Sequence, residues 1–433
     1  MDRETLKRRV VQAIERRAGE LVEIGRYLLA NPEIGYREIK ASALVADTFA
    51  KLGLPHRTGL AVTGVRADLA GRPGPTVAVL GELDGLIAFG HPHADPETGI
   101  AHTCGHNAQI ATMLGVGMGL VDTNAMDALA GRVVLFAVPA EEYVDLEYRA
   151  RLREEGRIEF FGGKQELVRL GHFDDVDMAM MVHASSNMPE RRVRVGGTTN
   201  GFQAKTIRFR GKAAHAGARP DLGVNALNAA ALAIMGINAQ RETFRDEDSV
   251  RVHHILTAGG HSVNIVPEDV RMELFARGRS LEAIRDASTK VNQAVTGAAQ
   301  MVGAQVEIRD LPGYLPLLEE HVLAAAFREN AAAVLGADHV LPPRHVGAST
   351  DMGDLSHVMP VLHPFAGGYR GNNHSRDFLV ADEEMAYVLP AAMMAMTVVD
   401  LLHGDAVGAR PAVETYHPRL TKAQYLAYLR REV

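Results

Sequence analysis

The spacing of hydrophobic side chains predicts alternating helices and buried strands. Apolar residues recur every three or four positions in residues 3–30 and again in residues 40–52, which is typical of amphipathic surface helices. Three later runs are apolar at nearly every position: residues 75–80, 132–138 and 176–182. Runs of this length and composition indicate strands that are buried on both faces. Because helical stretches separate them, we predict a largely parallel sheet.

The hydrophobic pattern changes between residues 195 and 310. Residues 203–210 alternate between apolar and polar positions, as in a strand with one exposed face. The pattern then predicts a helix, two strands, a helix and a final strand: residues 223–240, 250–256, 270–276, 281–299 and 305–310. This β-α-β-β-α-β order is that of a ferredoxin-like domain. We therefore predict an α/β chain in which a mostly parallel-sheet domain, residues 1–194 and 311–433, is interrupted by an α+β domain, residues 195–310.

Length and composition narrow the classes of function. A chain of 433 residues is longer than one core usually supports, which agrees with two domains. The net charge of −7, without a basic stripe, argues against a nucleic acid partner, so we expect a small-molecule substrate. The N-terminal segment is charged and the chain has a single cysteine, so we expect a cytoplasmic protein. Its apolar stretches are too short or too polar to span a membrane, so we expect no membrane partner.

The single cysteine of the chain, Cys104, lies between two histidines, His102 and His106. A lone thiol is a metal ligand, a catalytic nucleophile or a small buried residue. The flanking histidines, the intervening Gly105 and the apolar helical run that follows favour a metal ligand at the start of a helix. A thiol nucleophile and a structural cysteine remain as alternatives.

Polar side chains follow the three buried strands at the point where each strand ends. Asp84 follows the first strand, Glu141 and Glu142 follow the second, and His183 follows the third. Open α/β sheets place their sites at the carboxyl ends of their strands, so we expect these side chains to meet the segment of Cys104. Far along the chain, a glycine-rich loop ends in His374, which is a candidate for the last ligand.

Two loops of the inserted domain carry polar side chains that turn chemistry alone does not explain. Residues 211–217 contain His215, and residues 259–264 end in Asn264. Both loops are either flexible surface segments or groups presented to a site in the other domain.

These motifs together resemble the metallopeptidase family of aminoacylases, amino-acid-conjugate hydrolases and p-aminobenzoyl-glutamate hydrolase. The segments that carry the resemblance are residues 31–33, 82–84, 102–106, 139–142, 183, 211–215, 259–267 and 374. The resemblance implies a metallohydrolase domain, with residues 195–310 as a dimerisation or lid domain. It further implies one or two divalent ions, Mn²⁺ or Zn²⁺, held by the following ligands: Cys104, His106, Glu142, His183 and His374.

The same resemblance implies roles for further residues. Glu141 would act as general base and then as general acid, and Asp84 would orient a ligand histidine. His215 and Asn264 would reach the active site of a neighbouring protomer, so we expect a homodimer. His215 would also stabilise the oxyanion of the reaction.

The chain departs from the family pattern at three places. Asn107 and Gln109 stand where many relatives have Asp and His, and Glu82 stands where more distant members have a ligand histidine. Residues 349–354 are more similar to the p-aminobenzoyl-glutamate hydrolase branch than to the conjugate hydrolases. Arginines that could bind a substrate carboxylate, or else lie solvated at the surface, are Arg277, Arg279 and Arg370.

From these residues we expect a metal-dependent hydrolase that cleaves the amide bond of a small N-acyl amino acid, dipeptide or aminobenzoyl conjugate. Three alternatives stay open from the sequence. The protein could remove the amino group of an electron-poor aromatic amine by hydrolysis. It could be a catalytically silent binding protein stabilised by a metal. It could also use Cys104 for thiol catalysis.

Overall fold

Two large sheets, one mostly parallel and one antiparallel, organise the chain in the computed structural model, in which residues 1–430 are described. The α-helices are α1 (Arg3–Arg16), α2 (Ala18–Ala30), α3 (Ile39–Lys51), α4 (His106–Asp122), α5 (Leu146–Glu154), α6 (Gly163–Arg169), α7 (Ala226–Ala239), α8 (Leu281–Met301), α9 (His321–Leu335), α10 (Met352–Leu355), α11 (Glu383–Tyr387), α12 (Leu389–Ala406), α13 (Arg410–Thr415) and α14 (Lys422–Arg430).

The strands are mostly short outside the two large sheets. They are β1 (His56–Leu60), β2 (Gly64–Ala70), β3 (Arg72–Glu82), β4 (Leu86–Ile87), β5 (Ile100–Ala101), β6 (Ala130–Val138), β7 (Met178–Met180), β8 (His183–Ala184), β9 (Val193–Arg194), β10 (Gly197–Thr199), β11 (Gly201–Arg210), β12 (Arg251–Ala258), β13 (Asp269–Gly278), β14 (Gln305–Pro312), β15 (Val340–Leu341), β16 (Arg344–Val346), β17 (Val361–Leu362), β18 (Phe365–Ala366), β19 (Tyr369–Arg370) and β20 (Leu379–Val380).

The first large sheet has six strands in the order β1-β2-β6-β3-β7-β17. Strand β3 runs parallel to β6 and β7, and β7 runs parallel to β17. Strands β1 and β2 form an antiparallel edge that the sequence pattern did not predict. β1 has no fully buried residue, so it carries no apolar periodicity. The predicted mostly parallel sheet is nevertheless confirmed, because the three apolar runs form β3, β6 and β7 at its centre.

Helices cover both faces of this sheet: one face carries the largest hydrophobic cluster of the protein, and α6, α10 and α14 pack on the other. Helix α4 is buried along almost its whole length and packs against α12, α2 and α1. A Cβ atom added at Gly115 would lie 2.7 Å from the Cβ of Ala391, so the small residue allows α4 to approach α12 closely.

Residues Glu383–Ala406, which contain α11 and α12, are long and apolar enough to cross a membrane by length and composition alone. In the structure, 89% of the most apolar window of this segment is buried inside the protein. The segment is therefore packed as a core helix. The backbone divides the segment at Val388, which lies between α11 and α12.

The second large sheet is antiparallel, with the order β12-β13-β11-β14, and helices α7 and α8 pack on it. Its elements follow the predicted β-α-β-β-α-β order and have a hydrophobic cluster of their own. Just before it, β10 pairs with β16, which belongs to the later part of the chain. The exact division at residues 194 and 310 stays a prediction, since β14 continues to Pro312.

Strand ends of the first sheet and its neighbours meet at one edge. Glu82 is the last residue of β3, and Glu141 and Glu142 follow β6. His183 begins β8, which pairs with β18 and continues the line of β7. His106 is the first residue of α4. This edge is therefore the place where the polar residues singled out in the sequence come together.

Candidate metal centre

The turn before α4 places Cys104 and His106 side by side. Gly105 between them has a φ of 83°, a left-handed conformation that favours glycine. A Cβ atom at this position would also collide with the Cβ of Ala184. The glycine therefore allows both the reversal of the chain and the close approach of the strand that carries His183.

The side chains of Cys104, His106, Glu142, His183 and His374, called the ligand cluster below, converge in space. The Sγ atom of Cys104 lies 3.3 Å from the Nε2 atoms of both His183 and His374. The Nε2 atom of His374 is also 3.3 Å from Oε1 of Glu142. The cluster contains two groups of possible metal ligands that share Cys104, and within each group the donor atoms lie within 4.8 Å of one another. The first group is Cys104, His106 and His183; the second is Cys104, Glu142 and His374.

Hydrogen bonds outside the cluster determine which ring nitrogen faces it. Nδ1 of His106 donates to the backbone oxygen of Asp84 at 2.8 Å, and Oδ1 of Asp84 lies 3.2 Å away. Nδ1 of His183 donates to the backbone oxygen of Ala184 at 2.8 Å. In a neutral ring the Nε2 atom then carries a free lone pair, as metal-binding histidines require. Oδ2 of Asp84 also accepts the backbone N–H of Glu142 at 2.9 Å, so Asp84 positions two members of the cluster.

Nε2 of His106 and Oε1 of Glu142 are buried and have no hydrogen-bond partner among residues 1–430. Buried polar atoms are rarely left unpaired in folded proteins. Here both point at other electron-pair donors, including a thiol and imidazole nitrogens. A set of sulfur, nitrogen and carboxylate oxygen donors fits a divalent ion such as Zn²⁺ or Mn²⁺.

The electrostatics of Cys104 favour a thiolate. Burial raises the pKa of the Cys104 thiol, but the positive charges of His183 and His374 lower it to about 5. Thiolate is the form of cysteine that binds metals and also the form that acts as a nucleophile. The cluster geometry, with two imidazoles directed at one sulfur, agrees with metal binding.

Glu141 lies beside the cluster and is only 7% exposed. Its Oε2 atom is 3.9 Å from Nε2 of His106. Burial, together with the negative charges of Glu82 and Glu142, raises the pKa of Glu141 well above its usual value. A carboxylate with a raised pKa holds a transferred proton more strongly, which suits a group that first accepts and then donates one.

The turn that presents Glu141 is held by residues that the sequence did not single out. Ala140 has a φ of 55°, and its backbone N–H donates to Oε1 of Glu38 at 2.8 Å. The hydroxyl of Tyr314 donates to the backbone oxygen of Glu141, and the buried guanidinium of Arg149 donates to that of Glu142. Single residues such as these, far apart in sequence, give no local signal.

Arg277, on β13 of the second sheet, lies near the cluster but makes no hydrogen bond or salt bridge to it among residues 1–430. Its Nη1 donates to Oγ of Ser349 at 2.7 Å and its Nε to Nε2 of His253 at 3.0 Å. Burial lowers the pKa of Arg277, although the negative charges of Glu141 and Glu142 partly offset this effect. Arg277 is therefore within electrostatic range of the site.

Arg370 and Arg279 lie elsewhere. Arg370 is exposed and lines a cavity of about 640 Å³ with Arg376 and Leu379. Arg279 is exposed, and its backbone N–H donates to the backbone oxygen of Asp248. Neither arginine makes a hydrogen bond or salt bridge to the ligand cluster within residues 1–430.

His215 and Asn264 come together, but apart from the cluster. The backbone N–H of Ala216 donates to the oxygen of Asn264 at 2.9 Å, and Nδ1 of His215 accepts the N–H groups of Gly217 and Ala218 at 3.2 Å each. Among residues 1–430, no hydrogen bond or salt bridge links either side chain to the cluster. Because Nδ1 accepts, the proton of a neutral His215 ring is on Nε2, where it can be donated.

Lys164, Glu82 and Asp351 form a buried group of charged side chains next to the cluster, and the sequence analysis singled out only part of this group. Nζ of Lys164 donates to Oε1 of Glu82 at 2.5 Å and to the carboxylate of Asp351. Nε2 of Gln109 donates to the second oxygen of Glu82 at 2.8 Å. The departures from the family pattern drew attention to Glu82, Gln109 and Asp351, whereas Lys164 lies in a polar helix without any motif.

Comparison with known proteins supports the architecture and the chemistry. The family model described as peptidase family M20/M25/M40 matches residues 76–391. The chain is 29% identical over 430 residues to the Xaa-Arg dipeptidase of Mus musculus, across 93% of this chain and 90% of that protein. It is 30% identical over 295 residues to one of the subunits of the Escherichia coli p-aminobenzoyl-glutamate hydrolase, across 64% of this chain and 62% of that protein. The solved structure of the Bacillus subtilis YXEP protein, described as a dinuclear metal binding peptidase from the M20 family, shares the fold with a TM-score of 0.67 at 21% identity, across 89% of this chain and 98% of that one.

Proposed function

The chain belongs to peptidase family M20/M25/M40 and is a metal-dependent hydrolase, and on that premise we propose that it cleaves the amide bond of a small N-acyl amino acid, dipeptide or aminobenzoyl conjugate. The names of the mouse dipeptidase and the Escherichia coli hydrolase describe substrates of this kind. The observation that carries the proposal is the convergence of the ligand cluster, with the Nδ1 atoms of His106 and His183 bonded away from it.

We propose that the ligand cluster holds the divalent metal of the enzyme. When bound, the ion lowers the pKa of a water molecule and polarises the substrate carbonyl. Cysteine favours Zn²⁺, whereas histidine and carboxylate ligands also suit Mn²⁺. Asp84 keeps the ring of His106 and the backbone of Glu142 in place, so it acts as a positioning residue.

Glu141 is the proton carrier of the proposed reaction. Its carboxylate accepts a proton from the water whose oxygen attacks the amide carbon. When the carbon–nitrogen bond breaks, Glu141 delivers that proton to the leaving nitrogen, which departs as an amine. The raised pKa of Glu141 stabilises the protonated state between these two steps.

Arg277 is the proposed partner of a substrate carboxylate. Within residues 1–430 it forms no salt bridge, although it lies close to the site and is half-buried. The compound in the name of the Escherichia coli relative, p-aminobenzoyl-glutamate, has a carboxylate next to its amide bond. A guanidinium can bind such a group through two parallel hydrogen bonds. A homodimer and a cytoplasmic location stay predictions.

The test combines metal removal with replacement of Glu141. We expect chelation to abolish amide hydrolysis in a screen of N-acyl amino acids, dipeptides and aminobenzoyl conjugates, and Mn²⁺ or Zn²⁺ to restore it. Glu141→Gln should lower kcat by about 100-fold or more with unchanged metal content, because general acid–base catalysis contributes that much. The exposed Glu147→Gln on the following helix is the matched control.

Other outcomes would contradict the proposal. Activity that resists chelators but is blocked by a thiol alkylator would assign the reaction to Cys104. Release of ammonia from aromatic amines without amide cleavage would make the enzyme an aminohydrolase. Tight metal binding without hydrolysis of any compound in the screen would indicate a binding protein.

A further inference from the structure

A cavity of about 800 Å³, called the hairpin cavity below, lies between helix α2, the start of α4 and the hairpin of β19 and β20. Its wall contains Leu29 of α2, Asn107 of α4, Arg370 of β19 and Leu379 of β20. Sites for small molecules commonly have volumes of roughly 300–1,000 Å³. Neither Glu141 nor any member of the ligand cluster lines this cavity. A molecule in it would therefore not lie at the proposed reaction centre.

His102 belongs to the buried part of the cavity wall and is only 2% exposed. Neither of its ring nitrogens has a hydrogen-bond partner among residues 1–430. Buried polar atoms are rarely left unpaired in folded proteins. A neutral imidazole ring offers one N–H donor and one acceptor nitrogen, so it can pair with a hydroxyl or amine group of a bound molecule.

His91, a second buried histidine of the same wall, has partners for both ring nitrogens. Its Nε2 donates to the backbone oxygen of Phe378 at 2.8 Å, and its Nδ1 accepts the backbone N–H of His93 at 3.2 Å. The amide nitrogen of Asn107 also has two partners, at 3.1 Å each. Of these three buried side chains, His102 is the one whose hydrogen bonds the fold does not supply.

Arg370 supplies a positive charge to the exposed part of the wall. Its guanidinium forms no hydrogen bond or salt bridge among residues 1–430. The other guanidinium of the wall, that of Arg26, is already paired with the carboxylate of Glu383 at 2.7 and 2.8 Å. An unpaired guanidinium can bind a carboxylate through two parallel hydrogen bonds. The exposed part of the cavity therefore favours an anionic group.

Apolar side chains form much of the remaining wall. Leu29 comes from α2, and Phe378 and Leu379 come from the hairpin. The ring of Phe378 is stacked on that of Tyr369, with centroids 5.2 Å apart and planes 9° from parallel. These surfaces can bury the apolar body of a ligand. The wall as a whole thus suits a molecule that has a carboxylate at one end and a hydrogen-bonding group at the other.

We propose that the hairpin cavity is a second small-molecule site, which binds an organic carboxylate. Arg370 pairs with the carboxylate, and His102 forms a hydrogen bond with a hydroxyl or amine at the opposite end of an apolar body. The inference goes beyond the proposed hydrolase function, because the ligand cluster does not line this cavity. His102 lies two positions before Cys104, so a molecule bound here would contact the segment that carries a metal ligand.

Isothermal titration calorimetry of the metal-loaded, full-length protein tests the site with three probes. The first, p-aminobenzoate, has a carboxylate and an amine at opposite ends of an apolar ring; benzoate lacks the amine, and p-aminobenzamide lacks the charge. We expect p-aminobenzoate to bind most tightly. Benzoate should bind about fivefold more weakly, since it loses one neutral hydrogen bond, and p-aminobenzamide about tenfold more weakly, since it loses a charged one.

Two variants assign the contacts. Arg370→Gln should weaken the binding of p-aminobenzoate about tenfold and leave that of p-aminobenzamide unchanged. His102→Phe keeps a flat ring without nitrogens, so it should reduce the affinity for p-aminobenzoate to that for benzoate and leave benzoate unchanged. The matched control is Arg376→Gln, an exposed arginine of the same hairpin that lines only the neighbouring cavity and should bind every probe like the parent.

Metal content and thermal unfolding are measured for each variant, because His102 is close in sequence to Cys104. The titration is also repeated after chelation. A probe in the hairpin cavity should still bind to the metal-free protein, whereas a probe that coordinates the metal should not. If His102→Phe does not fold, Arg370→Gln at the exposed part of the wall decides the test.

The inference is overturned if p-aminobenzoate does not bind, or if its binding disappears with the metal. It is equally overturned if either Arg370→Gln or a folded His102→Phe protein binds p-aminobenzoate like the parent. The proposed hydrolase function survives each of these results, because it depends on loss of activity on chelation and its recovery with metal.

Discussion

Buried carboxylates in this protein have opposite pKa shifts, depending on the charges around them. Burial raises the pKa of Glu142, but the positive charge of His374 outweighs it and lowers the pKa to about 2. Glu319 lies near the positive charge of Arg328 but forms no salt bridge with it or with any other residue of 1–430, and its Oε2 atom is buried there without a hydrogen bond. Burial raises the pKa of Glu319 to about 7, although the backbone of Gly196 and His363 partly opposes the shift.

The raised pKa of Glu319 predicts that stability falls as the pH rises. Below the usual pKa of 4.5 the side chain is protonated in both states, so it contributes no pH dependence. Between pH 4.5 and 7 the native state keeps the proton that the unfolded state has lost, so unfolding becomes easier as the pH increases. Glu319→Gln should therefore be about 1–3 kcal/mol more stable than the parent at pH 8 and nearly equal to it at pH 4.5.

Denaturant unfolding of both proteins at the two pH values measures this difference. Glu329→Gln, an exposed glutamate on α9, is the matched control and should change stability little at either pH. A Glu319→Gln protein that loses stability at pH 8 would show that the ionised carboxylate is stabilised by a partner, contrary to the prediction.

At the scale of elements, the start of α4 connects the fold with the site. The left-handed Gly105 ends the extended segment that contains Cys104, and the helix begins at His106. The same glycine lies against Ala184, the neighbour of His183. One backbone position therefore sets the relative placement of ligands from two elements.

We predict that Gly105→Ala weakens metal binding. The positive φ costs a non-glycine residue about 1–3 kcal/mol, and the methyl group would collide with Ala184, so β8 and His183 must shift. We expect the metal affinity to fall by at least about tenfold, since displaced ligand geometry typically has that effect. Equilibrium dialysis measures the affinity, and thermal unfolding measures the stability.

Gly303→Ala is the control for the backbone effect alone. Gly303 also has a positive φ, of 72°, but no atom lies within 4 Å of an added Cβ. This variant should lose stability and keep its metal. Equal metal affinity in both variants would mean that the contact with Ala184 does not position His183.

At the scale of the whole molecule, the two sheets present their polar residues in different places. His215 and Asn264 make no contact with the ligand cluster within residues 1–430, although the sequence resemblance implies a role for them in the site. Apolar side chains are strongly exposed on the same sheet and its loops, with Ile255 at 61% and Val263 at 100%. Such exposure agrees with the predicted homodimer, in which a partner would supply His215.

Complementation between two inactive variants tests a shared site. We expect Glu141→Gln and His215→Ala each to be nearly inactive with full metal content, because one lacks the proton carrier and the other the oxyanion donor. After unfolding and joint refolding in equal amounts, half of the dimers are mixed and one of their two sites is intact. Activity should then return to about a quarter of the parent value.

The control is a mixture of Glu141→Gln with the double variant that carries both changes in one chain. It contains no intact site and should stay inactive. Activity of His215→Ala alone at the parent level, or a mixture of the single variants that remains inactive although dimers form, would contradict the shared site.

Hydrophobic spacing was sufficient to predict the elements whose burial is uniform. The three apolar runs became β3, β6 and β7, and the insertion has the predicted order of strands and helices. Strands β1 and β2 and helix α9 were not predicted. β1 is mostly exposed and α9 is only partly buried, so their structure depends on neighbours that are distant in sequence. β2 is buried along most of its length, but Arg66 and Asp68 interrupt its apolar residues and hide the strand pattern.

The residue types of the site could be read from the amino-acid sequence, because chemistry-bearing residues directly follow strands whose apolar composition is visible. The folded structure was needed to show which nitrogen of His106 is free, where Lys164 places its charge, and that Glu82 faces the same ring. These facts depend on contacts between residues that are far apart in sequence, such as 82 and 351. Folding of the chain brings such residues together, and the local sequence pattern carries no information about it. Hydrogen bonding and burial then fix the orientation and charge of each group, since both depend on the complete set of neighbours.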